Sequence, residues 1–317
     1  MLVLERRELG ASGIDVSVLS LGSWRTFERI PREQGLAVMH AAREHGIAFL
    51  DDARYDDETG NAPLATGYSE IVFGDLFRAA GWNRDEVVVA NKLWWEFWPR
   101  QSAAEELDGS LARMRLDHLD LVYAATPPDD LPVADVVGAA SELIAAGKAR
   151  AWGVLNWQPH LLAEAAAAAR DAGLPTPCAT QVAYNLAVRD TVEGPDAASA
   201  LEAAGASVVA SMPLWFGALT GKYANGGAEG RLASSLDEPR HRDALALAEP
   251  LRELAARFGA TPAALAVAFA LSGPRVASVL FGATRPEQVA ENTAAVGALA
   301  ALGDAGLDEL RALGATR

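Results

Sequence analysis

Short runs rich in Val, Ile and Leu alternate along this chain with longer segments whose apolar residues recur at helical spacing. The apolar runs fall at 16–21, 47–50, 86–90, 119–124, 149–155, 178–184, 207–214 and 276–281. Amphipathic stretches occupy 34–44, 69–79, 103–115, 134–146, 161–172 and 286–299. Until the last gap, run starts are separated by roughly 30 residues, the size of one strand-plus-helix unit. Strands that alternate with helices are forced into parallel pairing, and eight such units close a (β/α)8 barrel. The pattern predicts an α/β protein, a TIM barrel forming a single domain over residues 1–317. A doubly wound open sheet would carry a Gly-x-Gly-x-x-Gly turn after its first strand. Here that turn reads Gly22-Ser-Trp-Arg-Thr-Phe27, without the fingerprint. Length beyond a minimal barrel falls at 55–68, in a long loop after strand seven at 221–242, and in a C-terminal helix at 304–313.

With 50% hydrophobic and 22% charged residues in 317, the chain has material for a large core, which excludes a disordered or fibrous class. Its 27 basic against 42 acidic residues leave a net charge of -15, a field that repels nucleic acid and anionic lipid. A local basic pocket for a phosphate is still allowed. No apolar run approaches the ~20 residues that span a bilayer. The start, Met-Leu-Val-Leu-Glu-Arg-Arg-Glu, lacks the apolar stretch of a secretory signal. Cys178 stands alone, so no internal disulfide forms, and a reducing cytoplasm is the expected compartment. The expected partner is a small-molecule substrate, with no nucleic acid and no membrane; whether the chain forms a homo-oligomer stays open.

In a barrel of this kind chemistry sits at the C-terminal ends of the strands. Those ends are polar here: Asp51-Asp52, Asn91-Lys92, Asn156, Gln181 with Asn185, and Gly282-Ala-Thr284. An Asp and a Lys at neighbouring strand ends suggest a buried ion pair. An ammonium beside a phenol stabilises the phenolate and lowers a pKa otherwise near 10, and such a Tyr can protonate a developing alkoxide. Tyr55 follows Asp51 closely enough for that role. A purely structural salt bridge at the rim accounts for the same charges, and spacing does not choose between the two. No metal site is expected.

In order along the chain, these residues resemble the aldo-keto reductase family. Leu9 to Gly22 is similar to the family's first hairpin and strand. Asp51-Asp-Ala53 resembles its Asp-Thr-Ala signature, Ser69-Glu70 its Ser-Glu, and Ala90-Asn-Lys92 its Ala-Thr-Lys. Gly147 to Asn156, Gln181 to Asn185, Leu219 to Tyr223 and Gly282 to Gln288 continue the series. The resemblance implies hydride transfer from nicotinamide to an aldehyde or ketone, with Asp51, Tyr55 and Lys92 as catalytic residues. The family spaces its Tyr five residues after the Asp, whereas Tyr55 follows Asp51 by four. Tyr68, beyond the inserted residues 56–67, offers a second phenol, and Tyr55 is preferred. Where the family has its catalytic His, this chain has Ala125, whose methyl group donates no hydrogen bond to a substrate oxygen. None of the five histidines replaces it, and His118 lies at the opposite end of that strand. Three readings follow: a carbonyl reductase with Tyr55 as acid; a catalyst of double-bond reduction or elimination at the same site; and a nucleotide-binding sensor or partner subunit with little turnover, in the manner of the family's potassium-channel β-subunits.

The same resemblance implies a cofactor, NADPH in preference to NADH. Its expected contacts are Gly22, Ser23 and Trp24 after strand one, Asn156 and Gln181 at the carboxamide, and Ser211, Met212, Pro213 and Leu214 after strand seven. Ser211 stands where the family has a Tyr or Trp that stacks on nicotinamide, a contact that Met212 or Trp215 would partly replace. Gly217, Lys222 and Arg231 fit a clasp over the pyrophosphate; the string from Gly217 to Lys222 is too short for a P-loop. Gly282, Thr284, Arg285, Gln288 and Asn292 fall at the adenosine end. Arg285 is suited to a 2′-phosphate, an exposed surface arginine being the plain alternative. Trp94, Trp95 and Ala125 are the expected substrate pocket. Core packing or a neighbouring subunit would equally bury so apolar a loop as Leu93-Trp-Trp-Glu-Phe-Trp98.

Overall fold

In the computed structural model, which describes residues 4–224 and 230–314, an antiparallel hairpin leads into a closed parallel barrel. The hairpin pairs β1 (Arg6–Glu8) with β2 (Asp15–Ser17). The barrel strands are β3 (Leu19–Gly22), β4 (Phe49–Asp51), β5 (Val88–Leu93), β6 (Leu119–Ala125), β7 (Ala149–Leu155), β8 (Ala179–Ala183), β9 (Ser207–Ser211) and β10 (Val276–Gly282). They run in sequence order, and β10 closes the ring by pairing with both β9 and β3. The chain therefore has the expected (β/α)8 architecture, with a long connection after barrel strand seven (β9) and a C-terminal helix. Residues 225–229 of that connection, like 1–3 and 315–317, lie outside the described residues.

Around the barrel stand α1 (Arg32–Glu44), α2 (Tyr68–Ala79), α3 (Ala103–Met114), α4 (Val133–Ala145), α5 (Pro159–Ala172), α6 (Asp190–Glu193), α7 (Pro195–Ala204), α8 (Arg242–Arg257), α9 (Pro262–Leu271), α10 (Pro286–Thr293) and α11 (Ala295–Leu313). Neither α8 nor α9 is among the periodic stretches read from the sequence. Every residue of α9 from Ala263 to Leu271 is buried, so it has no polar face and no period to detect. The terminal helix breaks at Gly303, whose φ of 57° and ψ of -173° are not helical. Among the described residues no single helix is long and apolar enough to cross a membrane.

Among the strand boundaries that move from their expected places, two have a clear local reason. The first apolar run divides at Val18: the Ser17 hydroxyl donates to the Leu19 carbonyl (2.7 Å) and accepts from the Ala48 amide (3.0 Å), turning the chain from hairpin into barrel. The third strand extends to Leu93 because Lys92 and Leu93 remain paired with Tyr123 and Ala124 of β6. Asn91 and Lys92 are thus strand residues, fixed by the ladder. The hairpin closes the N-terminal end of the barrel, burying Leu9, Ile14 and Val16, while Arg7 donates to the Leu271 and Val276 carbonyls at 3.2 and 2.7 Å. Its turn needs Gly10: at φ 56°, a Cβ there would lie 2.6 Å from the Cys178 carbonyl oxygen. The opposite end is left for the loops.

Candidate active site

At that end β4 and β5 bring Asp51 and Lys92 together. Lys92 Nζ donates to Asp51 Oδ1 at 2.5 Å and to the Asp52 carbonyl at 3.1 Å, with each side chain only 3% exposed. The other carboxylate oxygen of Asp51 accepts from Gln181 Nε2 at 2.9 Å, so a residue from the far side of the barrel braces the pair. The ammonium stands 5.9 Å from the Tyr55 ring centre and 6.0 Å from that of Tyr123. Tyr123 is fully buried, and its hydroxyl has no hydrogen-bond partner among the described residues.

Tyr55 is half-buried in the loop after β4. Its amide donates to Ser69 Oγ (3.3 Å) and its carbonyl accepts from the Gly67 amide (2.9 Å), so the start of α2 anchors it on both sides. Its ring packs against Trp94 at 6.2 Å. Burial first, then the carboxylates of Asp51, Glu28 and Glu70, push the phenol well above the ordinary tyrosine pKa. The sequence reading expected Lys92 to lower it. Asp51 neutralises the ammonium at contact distance, and acidic neighbours outweigh what remains. The phenol is held as a protonated donor. Tyr68, the first residue of α2, lines the same cavity of about 330 Å³ as Tyr55, between the inserted loop and Glu28 and Arg29. That cavity is walled by Asp56, Asp57, Asn61 and Ser69 rather than by Trp94, Trp95 or Ala125.

Position 125 is covered. The Trp95 indole donates to the Ala125 carbonyl at 3.0 Å, and both residues are buried. Glu106 of α3 holds this loop by accepting from the Trp94 and Trp95 amides at 2.8 and 3.3 Å. Arg54, buried beside it, reaches Glu96 (2.7 Å), Glu106 (3.5 Å) and Thr66 Oγ1 (3.0 Å), and its guanidinium lies 5.2 Å from the Phe97 ring centre. The Trp94 indole nitrogen is buried without a partner among the described residues.

The residues expected at a nucleotide are distributed around the same rim. Asn156 is exposed, in a left-handed conformation at φ 55° that projects it from the end of β7. Ser23 is buried, and its hydroxyl is given to Asp52 Oδ1. Arg231 donates to the Trp24 and Arg25 carbonyls at 2.8 and 3.0 Å and lies 5.4 Å from the Trp24 ring centre, tying the long loop to the β3 exit. Burial and the nearby Arg25 and Arg29 lower its pKa. Beyond Ser211, Met212 (φ 53°), Trp215 (φ 44°), Phe216 (φ 57°) and Gly217 (φ 88°) carry the chain through left-handed backbone, with Pro213 and Leu214 between. A Cβ on Gly217 would sit 2.7 Å from Lys222 Cε, so the glycine lets that lysine fold back over its loop. Gln288 Oε1 caps the start of α10, accepting from the Thr284 and Arg285 amides at 2.8 and 3.3 Å. Arg285 is exposed and Asn292 buried, both beside the Gly282 exit of β10. Neither Arg285 nor Lys222 has a carboxylate partner among the described residues. No cluster of metal-ligating side chains occurs among the described residues.

Three site residues escaped the sequence reading, Arg54, Glu106 and Tyr123, and a fourth, Asp52, was read only as a polar strand end. Only Asp52 had a visible signal, an acid where the family motif has Thr. The model of the aldo/keto reductase family matches residues 18–314. The chain is 32% identical to a probable voltage-gated potassium channel subunit beta of Oryza sativa subsp. japonica, over 98% of this chain and 96% of the relative. It is 30% identical to a similarly named protein of Arabidopsis thaliana, over 97% and 95%. With a putative voltage-gated potassium channel subunit beta of Schizosaccharomyces pombe it shares 33% identity, over 92% and 87%.

Proposed function

Because this chain belongs to the aldo/keto reductase family, we propose that it is an NADPH-dependent oxidoreductase that reduces a carbonyl with Tyr55 as general acid. The observation that carries the reading is the buried Lys92–Asp51 pair, with the Tyr55 ring 5.9 Å from the ammonium at the loop-bearing mouth of the barrel. The residues present fit a dinucleotide: exposed Asn156 at one end, and Arg285 and Lys222 without carboxylate partners among the described residues at the other. When bound, reduced nicotinamide supplies the hydride. Asn156 and Gln181 orient its carboxamide, Lys222 and Arg231 hold the pyrophosphate, and Arg285 takes the 2′-phosphate. Tyr55, kept protonated by burial and its acidic neighbours, delivers its proton to the carbonyl oxygen as negative charge develops there. Lys92 stabilises the phenolate left behind, and Asp51 keeps Lys92 in place. No imidazole stands at position 125, so the substrate oxygen depends on Tyr55 more heavily than it would with two donors. Cys178, buried and free, accords with a cytoplasmic home.

The relatives' names favour a second reading, in which the chain binds nucleotide with little turnover and serves as a partner subunit of a channel. One experiment separates the two. The purified protein is titrated with NADPH and NADH by fluorescence, then assayed against aldehydes, ketones and enones beside Tyr55→Phe and Tyr68→Phe. The oxidoreductase reading expects turnover that Tyr55→Phe reduces by on the order of 10²–10⁴-fold while nucleotide binding survives. Tight binding with no turnover of any carbonyl or enone supports the partner-subunit reading. Loss of activity in Tyr68→Phe alone reassigns the acid.

A further inference from the structure

Asp52 neither moves the proton nor holds the cofactor in the proposed reaction, yet it is a buried carboxyl with an unpartnered oxygen among the described residues. Its side chain is completely buried at the exit of β4. One oxygen, Oδ1, receives the Ser23 hydroxyl. The other, Oδ2, is buried with no hydrogen-bond partner among the described residues. Its amide is bound to the Ala90 carbonyl at 3.0 Å, so the residue cannot swing outward without opening the β4–β5 pairing.

The neighbouring charges are already matched. Asp51, adjacent on β4, is paired with Lys92 of β5. Glu70 of α2 is paired with Arg113 of α3 and also receives the Asn91 carboxamide at 2.9 Å. Tyr55, on the loop that follows, is neutral, and Ser23 on the β3 side carries no charge. Lys92 bonds the Asp52 backbone carbonyl at 3.1 Å, and its charge, already matched by Asp51, offsets that of Asp52 only in part. An ionised Asp52 would therefore be one uncompensated negative charge among two complete ion pairs, with an oxygen that nothing solvates. Burying such an oxygen is costly, and a group so placed neutralises instead.

We propose that Asp52 is a protonated carboxylic acid in the native protein, and that its proton keeps the barrel mouth charge-balanced for an anionic nucleotide, so that loss of the proton sets the upper pH limit of nucleotide binding. Burial first, and then the charge of Glu70, push its pKa well above the ordinary 3.8; Ser23, the Ala53 amide and Lys92 offset this in part. The geometry points the same way independently. The proton resides on the unpartnered Oδ2, leaving Oδ1 as the carbonyl oxygen that accepts from Ser23. Asp52 is thus a positioning residue: it holds the Ser23 hydroxyl, and with it the β3 exit, against the end of β4. The binding half of the proposal rests on the reading of the mouth as a nucleotide site.

The sign of the linkage is fixed. A carboxyl protonated in the folded chain and ionised in the unfolded chain makes stability fall as pH rises, from the unfolded pKa up to the folded one. Asp52→Asn keeps the shape and cannot ionise. The ratio of wild-type to Asp52→Asn folding constants, from denaturant unfolding at several pH values, is expected to fall by about tenfold per pH unit over that interval. Infrared spectra are expected to show a protonated-carboxyl band that the variant lacks. Above that interval wild type is expected to lose NADPH affinity at least tenfold more than the variant. A ratio independent of pH, or one that rises with pH, overturns the protonated assignment. Parallel loss of affinity in both proteins overturns the binding half. Should Asp52→Asn fail to fold, Asp52→Thr, the residue of the family motif, supplies the comparison. If wild type binds no NADPH at any pH, the nucleotide reading falls and takes the binding half with it, while the folding ratio still decides where the proton is.

Discussion

Asp51→Asn is the perturbation whose cost follows most directly from the structure. Wild-type Asp51 gives one oxygen to Lys92 at 2.5 Å and the other to Gln181 at 2.9 Å, and both charged side chains are 3% exposed. The variant keeps the volume and one acceptor but removes the counter-charge, leaving a buried ammonium with only neutral oxygens, the new carboxamide and the Asp52 carbonyl, to accept from it. Breaking a buried pair from one side costs about 3–5 kcal/mol, because the surviving ion has lost its compensation. Lys92→Met is expected to cost a similar amount, for the mirror-image reason. The double variant abolishes both charges, so its cost falls well short of the sum. Urea unfolding followed by tryptophan fluorescence reads this as a shift in midpoint at constant slope. Single variants costing under about 1 kcal/mol, or a double variant that is simply additive, would refute the picture of a desolvated pair and make it a surface-like bridge.

Arg231→Ala removes the contacts to the Trp24 and Arg25 carbonyls, and is expected to weaken NADPH binding at least tenfold with little change in folding, measurable by fluorescence titration. Arg285→Ala is expected to reduce NADPH affinity while sparing NADH, and equal losses for both would place the 2′-phosphate elsewhere. Ala125→His introduces an imidazole under the bonded Trp95 ring and is expected to cost about 1–3 kcal/mol through overpacking, seen in the same urea assay. Burial pushes the Cys178 thiol up to about 12, so a thiolate-specific reagent is expected to label the protein only as fast as it unfolds.

Those features were most legible in the sequence that a regular pattern repeats. Eight apolar runs, evenly spaced until the last gap, announced the barrel, since a parallel strand covered on both faces has to be apolar along its length. The polar residues closing those runs drew attention to Asp51, Lys92, Asn156 and Gln181, although spacing did not separate a catalytic role from a structural one. Helix α9 stayed hidden because burial on all sides erases periodicity. The covering of Ala125 by Trp95, and the grip of Arg54 and Glu106 on that loop, depend on contacts between distant segments that no local spacing encodes. The electrostatics of Tyr55 were misjudged for a related reason. One cation was visible next to it in the motif, whereas the burial of the phenol, and after it the approach of Glu28 and Glu70, come only with the folded loops. Asp52 was visible as an odd letter in a motif, but its meaning depends on the unpartnered oxygen.

On the proposed function, the mouth of this barrel moves hydride to a carbonyl while Tyr55 supplies the proton. The most direct measurement uses NADPH deuterated at the transferable position, mixed with a reactive aldehyde and either wild type or Tyr55→Phe, with the alcohol analysed by mass spectrometry. One deuterium in each alcohol from wild type, and almost no labelled alcohol from a Tyr55→Phe protein that binds NADPH equally well, is the predicted result. Unlabelled product from wild type, or labelled alcohol formed at the wild-type rate by Tyr55→Phe, would contradict it.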